Sequence, residues 1–466
     1  MSTQPGRIEK DSMGEMRVPA GAYWGAQTQR AVENFPISGY RLGRPFIRAL
    51  GLIKRSAAQV NKALGLLDPA LAEKIEAAAA EVIDGKLDSH FVVDVFQTGS
   101  GTSSNMNANE VIANRANELA GSAIGSNQPI HPNDHVNLGQ SSNDVIPTAI
   151  HVSAAEAFHQ DLVPALSLLS AELNAKAAQF DSVLKIGRTH LQDATPIRLG
   201  QEFSGYAAQA LLSLDRAGRA VAALRELPIG GTAVGTGINA HPEFGRRMSA
   251  ALSEATGLDF VEAANHFEAQ AAKDAVCEAS GLLRTIAVSL TKIANDIRLL
   301  GSGPRCGIGE ICIPPTQPGS SIMPGKVNPV MSEMLIQVAA QVTGNDTAIA
   351  LGCRDGHYEL NVMMPMMAHN LLESIRLLSN GVRVFTDRCV KGIEADPDRC
   401  RAMIEQSLAM CTSLAPLIGY DRAAAIAKEA YRTGKTVRQV ALEQRVLDEA
   451  KLNEALNPLS MTKPRP

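Results

Sequence analysis

The sequence predicts a mainly α-helical protein built around a bundle of long helices. Hydrophobic residues make up 45% of the chain but aromatic residues only 4%, and alanine fills much of the apolar share, as in the run at 77–80. Alanine has the highest helix propensity, whereas sheets favour aromatic and β-branched residues. The middle of the chain also contains long apolar-rich segments that are almost free of proline, at 202–227, 267–300, 329–351 and 366–390.

The length of these segments is informative, because the segment 267–300 has 34 residues and a mean helix has about 12. Its apolar residues occupy more than one face, so we expect it to form one helix that needs several neighbours. One chain supplies only four or five such helices. Association of subunits is therefore expected to cover them.

Three regions are predicted along the chain. Residues 1–140 alternate helical stretches with polar loops, and residues 141–395 contain the long helices. Residues 396–466 contain short helices separated by Pro416, Gly419 and Gly434. With about 150 residues per domain as a guide, the chain length agrees with three domains.

Charge and composition exclude several classes of partner. Lys plus Arg is 44 and Asp plus Glu is 48, which gives a net charge of -4, and no basic stripe points to nucleic acid. No apolar stretch reaches 18 residues and the first ten residues are polar, so neither a membrane span nor a secretory signal is expected. The seven cysteines include no CxxC pair, which is typical of reduced thiols in a cytoplasmic protein.

Three loops rich in Ser, Thr, Asn and Gly each lead into a predicted helix, at 98–105, 140–144 and 319–329. Free N–H groups and the helix dipole both favour an anion at a helix N-terminus, and hydroxyl side chains add donors. Ordinary N-capping is the alternative for any one of them. Three such loops in one chain, one of which contains Lys326, favour an anion site.

The third loop also resembles a nucleotide-binding loop, because Gly325 is followed by Lys326. However, the spacing from Gly319 to Gly325 is one residue too long. Val327 also replaces the Ser or Thr that would hold magnesium. A nucleotide site is therefore not predicted.

Two histidine patterns leave alternatives open. His131 and His135 could form a metal pair, but Pro132 between them predicts a turn, so no metal site is predicted. His190 lies in the polar segment 187–196 between two predicted helices. A structural hydrogen bond and an acid–base role are both compatible with that position.

The segment GSSIMPGKVNP at 319–329 resembles the signature loop of the aspartase/fumarase superfamily. Nearly the whole chain resembles the class II fumarate hydratase family within it, in the family's motif order. The matching segments are QTGSGTSSNMNANEV (97–111), HPNDHVN (131–137), QSSNDVIPTA (140–149), GRTHLQDATP (187–196), NHFEAQAAKD (265–274), SLTKIANDIR (289–298) and HYELNV (357–362).

Two alternatives within the superfamily are less similar to this sequence. Aspartate ammonia-lyases resemble STND rather than the SSND at 141–144, usually lack His131, and commonly have Ala at the position of Gly325. A non-catalytic structural relative would keep the helical core and lose the loop residues, which are present here.

The resemblance implies a three-domain, mainly all-α fold whose central long-helix bundle forms a multi-helix core in a homotetramer, with active sites shared between subunits. It implies reversible anti addition of water to fumarate, giving (S)-malate through an aci-carboxylate intermediate, as in the tricarboxylic acid cycle. No cofactor or metal is implied.

The resemblance also implies roles for particular residues. Ser320 would remove the C3 proton of malate, Lys326 would stabilise the intermediate, and His190 paired with Glu333 would protonate the leaving hydroxide. The implied substrate-binding set is Ser100, Gly101, Thr102, Ser141, Ser142, Asn143, Thr189, Ser321, Lys326, Val327 and Asn328. A second carboxylate site would comprise His131, Pro132, Asn133 and Asp134.

Overall fold

A computed structural model describes residues 6–464, and residues 1–5 and 465–466 at the two ends lie outside the described part. The predicted mainly helical fold is confirmed. The α-helices of the described residues are α1 Ala26–Asn34, α2 Arg44–Ala63, α3 Pro69–Ile83, α4 Thr102–Leu119, α5 Ser142–Ala157, α6 Val163–Gln179, α7 Leu199–Ala223, α8 Phe244–Thr256, α9 His266–Ala271, α10 Asp274–Leu300, α11 Val330–Arg354, α12 Met364–Arg388, α13 Pro397–Ile404, α14 Ala415–Ile418, α15 Tyr420–Thr433, α16 Val437–Glu443 and α17 Glu449–Ala455.

The strands of residues 6–464 form two-stranded ribbons only. They are β1 Gly6–Asp11, β2 Gly14–Pro19, β3 Leu184–Thr189, β4 Gln192–Arg198, β5 Glu226–Leu227, β6 Val261–Glu262, β7 Ile311–Cys312, β8 Gly356–His357, β9 Leu360–Asn361 and β10 Glu394–Ala395. The pairs β1–β2, β3–β4, β7–β10 and β8–β9 are antiparallel, and β5–β6 is parallel. Short 3-10 or π-helical turns occupy Asp88–His90, Pro132–Val136, Phe158–Leu162, Val390–Gly392, Leu408–Ser413 and Pro458–Met461.

Three of the four predicted long helices match α7, α11 and α12 within a few residues. The prediction of one helix over 267–300 is wrong, because Ala272 has an extended backbone (φ −79°, ψ 153°) that ends α9 before α10 begins. The fully buried Gln270 donates from Nε2 to the backbone oxygen of Thr232 at 2.9 Å. This tertiary contact holds α9 in place, and the helix-favouring local sequence does not reveal it.

The chain divides into two compact units. The first comprises the chain up to Pro164, Asp215–Ala287 and Ala340–Ser379, and the second comprises Ala165–Leu214, Val288–Ala339 and the chain from Asn380. The three-domain division of the sequence stays a prediction.

Each unit has a buried apolar core of its own. In the first unit α2 packs against α3, α5 and α8, and the core includes Phe46, Ile53, Ile75 and Ile150. In the second unit the C-terminal helices surround a cluster of fully or almost fully buried side chains, which includes Met410, Leu414, Ile426, Val440 and Leu452. In the described part of the chain, none of the helices combines the length and the apolarity that crossing a lipid bilayer requires.

Candidate active site

Three hydroxyl groups of the predicted substrate-binding set form a continuous chain in the first unit. The Oγ of Ser100 lies 2.7 Å from Oγ1 of Thr102, which lies 2.7 Å from Oγ of Ser142. Thr102 begins α4 and Ser142 begins α5. The chain of hydroxyls therefore joins two helix N-termini, where the helix dipoles favour an anion.

Glycine is required between the first two of these hydroxyls. Gly101 has φ +74°, and a Cβ built on it would lie 2.9 Å from both Cγ1 and Cγ2 of Ile146. The preceding Gly99 leaves even less room, since its Cβ would lie 1.8 Å from the backbone oxygen of Val362. The narrow space and the left-handed backbone together hold Ser100 and Thr102 side by side.

Ser141 caps α5, as expected of an ordinary N-cap. Its Oγ accepts the backbone N–H of Asn143 at 3.2 Å, and its own backbone N–H donates to Oδ1 of Asp144 at 2.9 Å. Asn143 donates from Nδ2 to the backbone oxygen of Ala233 at 2.8 Å. The capping box thus fixes the residues at the start of the helix.

Asp144 connects this helix start to a distant loop. Its Oδ2 accepts the backbone N–H groups of Gly230, at 3.1 Å, and Thr232, at 2.9 Å. The side chain is fully buried, and burial raises the pKa of Asp144 to about 6 in spite of these hydrogen bonds. The carboxylate therefore holds the 230–232 backbone against the N-terminus of α5.

A buried lysine provides positive charge behind the same loops. Lys54 of α2 is fully buried and donates from Nζ to Oδ1 of Asn137 and Oε1 of Gln140, both at 2.9 Å. Burial lowers the pKa of Lys54 to about 7, and the charge of Asp144 opposes that shift. Charge in a poorly solvated place acts more strongly on a nearby anion than charge at the surface.

An open cleft of about 580 Å³ lies within the first unit, beside the starts of α4 and α5. From the predicted substrate-binding set, Thr102, Ser141 and Ser142 line the cleft. From the predicted second carboxylate site, Asn133 and Asp134 line it as well. The structure therefore brings residues of both predicted sites to one cavity.

Other residues of the cleft were not among the predicted site residues, although some lie inside the motifs already noted. Asn105 falls in the segment 97–111, Asn137 in 131–137 and Gln140 in 140–149. Thr232 lies in GGTAVGTG at 230–237, which gave no usable pattern. The glycines of this segment are typical of any tight loop. Thr232 itself is positioned by Asp144, which lies 88 residues away in the sequence.

The turn that begins at His131 is π-helical, over Pro132–Val136. Nδ1 of His131 accepts the backbone N–H groups of Asn133 and Asp134, both at 3.3 Å. Nδ1 of His135 accepts the backbone N–H of His131 at 2.8 Å. The turn expected from Pro132 is present, and both imidazoles stabilise it.

In the second unit His190 occupies the tip of a β-hairpin. Strands β3 and β4 pair in register at Thr189 and Gln192, which leaves His190 and Leu191 as a two-residue turn with φ of +56° and +59°. The expected polar turn between helices is thus a pair of strands with an exposed tip. Non-glycine residues in this conformation are strained, and such strain is common at functional sites.

A buried charge cluster supports the base of this hairpin. Lys185 of β3 is 1% exposed and lies 2.9 Å from Oε2 of Glu202 and 3.1 Å from Oε2 of Glu310. Nη1 of Arg188 donates to the same Glu310 oxygen at 2.9 Å. Two of the six residues of β3 are therefore fixed by ionic contacts close to His190.

The loop at 319–329 is closed by its own hydrogen bonds. Gly319 donates its N–H to the oxygen of Lys326 at 2.9 Å, and Nδ2 of Asn328 donates to the oxygen of Gly319 at 2.6 Å. Inside the loop, Oγ of Ser320 accepts the backbone N–H groups of Ile322, at 3.2 Å, and Met323, at 3.0 Å. Two N–H donors on one hydroxyl oxygen favour its deprotonated form.

The remaining predicted residues of the second unit lie near the surface of the chain. Thr189, Ser321, Lys326 and Val327 are exposed, and Glu333 is half-buried in the first turn of α11. In the described residues of this single chain, His190 has no hydrogen-bond partner, and Glu333 is not paired with it.

Comparisons with known proteins identify the family to which the chain belongs. The family profile described as lyase matches residues 14–344, and that of the fumarase C C-terminus matches residues 410–463. A fumarate hydratase class II from Halobacterium salinarum is 58% identical, covering 98% of this chain and 97% of its own. One from Mycobacterium tuberculosis is 56% identical, over 98% and 96%.

Solved structures also match over nearly the whole chain. A class II fumarase from Schistosoma mansoni has a TM-score of 0.97 and 39% identity, covering 99% of this chain and all of its own. A fumarate lyase:delta crystallin from Brucella melitensis, bound to cobalt, has a TM-score of 0.95 and 48% identity over the same shares. The chain belongs to the class II fumarate hydratase family of lyases.

Replacing Gly101 by Ala tests the geometry of the hydroxyl chain. We expect a cost of about 1–2 kcal/mol for the left-handed backbone and about 1–3 kcal/mol more for the contact with Ile146. The matched control is Gly121→Ala, because Gly121 has φ +82° but nothing within 4 Å of its Cβ position. In thermal unfolding, Gly101→Ala should lower the midpoint clearly more than Gly121→Ala. Equal shifts would contradict the tight packing at Ile146.

Proposed function

We propose that this chain is a fumarate hydratase that catalyses the reversible anti addition of water to fumarate, giving (S)-malate. The observation that supports this most strongly is the loop around Ser320. Its hydroxyl oxygen accepts two backbone N–H groups, and the same closed loop carries Lys326 and Asn328. A base, a cation and an amide thus lie on one short loop, and proton abstraction beside a carboxylate needs such a set of groups.

In the direction from malate, the alkoxide of Ser320 removes the proton on C3. The electron pair of the C–H bond moves into the neighbouring carboxylate, which becomes a dianionic aci-carboxylate. Lys326 and Asn328 stabilise the added negative charge. The pair then returns to form the double bond as the hydroxyl on C2 leaves, so that fumarate and water result.

The departing hydroxide needs a proton, and His190 would supply it through a water molecule. The imidazole lies at an exposed hairpin tip whose base is fixed by Lys185, Arg188 and Glu310. Glu333 would orient and charge the imidazole when the two residues meet in the assembled enzyme.

The hydroxyl-lined cleft would bind the substrate carboxylates. Ser100, Thr102 and Ser142 offer adjacent hydroxyls, and the α4 and α5 N-termini add backbone dipoles. Ser141, Asn143, Thr189, Ser321 and Val327 complete the proposed substrate-binding set. The turn of His131, Pro132, Asn133 and Asp134 would hold a second carboxylate at the same cleft, outside the reacting centre.

The proposed assembly is a homotetramer whose sites draw on more than one chain, with a multi-helix core built from the long helices. Three domains, at 1–140, 141–395 and 396–466, remain the proposed organisation. We further propose a cytoplasmic enzyme that acts on a small dicarboxylate without cofactor or metal, and without nucleic acid or membrane partners.

The direct experiment is to mix the protein with (S)-malate and follow the ultraviolet absorbance of the fumarate formed. The same assay with L-aspartate tests for an ammonia-lyase. Fumarate from malate and none from aspartate is the expected result. Fumarate from aspartate alone would contradict the hydratase proposal.

Lys326→Met should lower kcat by roughly 100- to 1000-fold, because a preorganised cation facing the dianionic intermediate is removed. Its thermal midpoint should stay close to wild type, since the side chain is exposed. Lys451→Met, which removes an exposed lysine on α17, is the control and should retain full activity. Near-normal turnover of Lys326→Met would exclude the loop from the chemistry.

The two histidine sites should differ in their sensitivity to substitution. His190→Asn removes the proposed acid and should reduce kcat by about 100-fold or more. His131→Asn alters only the secondary site and should keep most of the activity. The measurement is of kcat and KM for both variants. A larger loss of activity in His131→Asn than in His190→Asn would mean that the roles of the reacting and the secondary site have been assigned the wrong way round.

A further inference from the structure

We infer that Thr232 is an additional substrate-binding residue of the cleft, whose hydroxyl donates a hydrogen bond to a substrate carboxylate. This inference rests on the proposed function for the identity of the ligand. The role of Thr232 as a donor to a dicarboxylate can be tested without turnover.

Within residues 6–464, the hydroxyl of Thr232 lacks a hydrogen-bond partner. The residue is 3% exposed, and its Oγ1 is inaccessible to solvent and makes no hydrogen bond within the described residues. Thr232 lines the same cleft as Thr102, Ser141 and Ser142. A buried donor without a partner destabilises a fold, so its presence at a cavity wall points to a group that the cavity receives.

A second buried polar atom at the wall of the cleft also has no hydrogen-bond partner in the described residues. Oδ1 of Asn105, which is 2% exposed and also lines the cleft, has no partner in the described residues. A hydroxyl donor and an amide acceptor left unsatisfied at one cavity match a ligand that carries both acceptors and a donor. The carboxylates and the C2 hydroxyl of malate have that combination.

The backbone of Thr232 is held in an unfavourable conformation. Its φ is +56°, which is rare for a β-branched residue. The N–H is fixed by Oδ2 of Asp144, and the oxygen by Nε2 of the buried Gln270, both at 2.9 Å. The surrounding structure therefore enforces this position of Thr232 at the wall of the cleft.

The test replaces Thr232 by Val, which keeps the shape and removes only the hydroxyl. Kinetics with fumarate and thermal stabilisation by succinate, a non-reacting dicarboxylate, are measured for each variant. Thr232→Ser restores the hydroxyl. Thr148→Val is the matched control, because Thr148 is a fully buried threonine of α5 whose hydroxyl already donates to the oxygen of Asp144 at 2.7 Å.

For Thr232→Val we expect KM for fumarate and the Kd for succinate to rise about 10-fold or more. The kcat should stay within about twofold of wild type, since the contact is made equally in ground and transition states. The thermal midpoint should not fall. Thr232→Ser should resemble wild type, and Thr148→Val should leave both constants unchanged.

Three results would overturn the inference. They are wild-type KM and succinate affinity in Thr232→Val, equal losses in Thr232→Val and Thr232→Ser, and an unfolded Thr232→Val beside a folded Thr232→Ser. The last would show that the hydroxyl serves folding. If the wild-type protein fails to hydrate fumarate, the proposed function fails, and the succinate measurements alone then decide the role of Thr232.

Discussion

The geometry of the substrate cleft depends on one buried carboxylate, that of Asp144. Its two oxygens accept the backbone N–H groups of Ser141, Gly230 and Thr232. A carboxylate out of water is costly unless such donors surround it. Asp144 therefore holds the start of α5 next to the loop at 230–232, which lies 86 to 88 residues further along the chain. The charge of Lys54 also lowers the pKa of Asp144, but less than these backbone hydrogen bonds do.

In the second unit, different contacts hold the proposed catalytic residues in position. The hairpin that carries His190 is held by Lys185 and Arg188 on the fully buried Glu310, and the loop around Ser320 is closed by its own backbone. In the second unit His190 is exposed, whereas Lys185 and Glu310 beneath its hairpin are buried. Electrostatic catalysis depends on donors that need no reorganisation during reaction, and rigid supports beneath exposed groups provide that property.

The sequence predicted those features that local physics determines. Helix propensity located the long helices. The loops rich in Ser, Thr, Asn and Gly at 98–105 and 140–144 were expected to lead into helices, and α4 and α5 begin within them, at Thr102 and Ser142. The resemblance to a known family supplied roles for Ser320, Lys326 and His190, which composition and spacing left open.

The features that the sequence did not predict depend on contacts between distant residues. The break between α9 and α10 lies at the extended Ala272, two residues after Gln270, which contacts the distant Thr232, whereas local propensity there favours a continuous helix. The hairpin at His190 was expected as a plain turn. His190 and Leu191 both have positive φ, which this residue pair does not suggest. Thr232 could not be recognised from the sequence as a residue of the cleft, because a contact with the distant Asp144 positions it in the cavity wall.

The proposed origin of His190 and Lys326 of one site in different chains can be tested by mixing two inactive variants. His190→Asn and Lys326→Met are each unfolded, then refolded together in equal amounts, and mixed tetramers are verified before turnover is measured. Suppose that His190 and Lys326 of a site belong to different chains. The chain that supplies His190 must then be the Lys326→Met variant, with a chance of one half, and the chain that supplies Lys326 must be the His190→Asn variant, also with a chance of one half. Random assembly should then restore about a quarter of the wild-type sites. If each site is built within one chain, every site keeps one lesion, and activity that stays near zero in verified mixed tetramers would contradict the account.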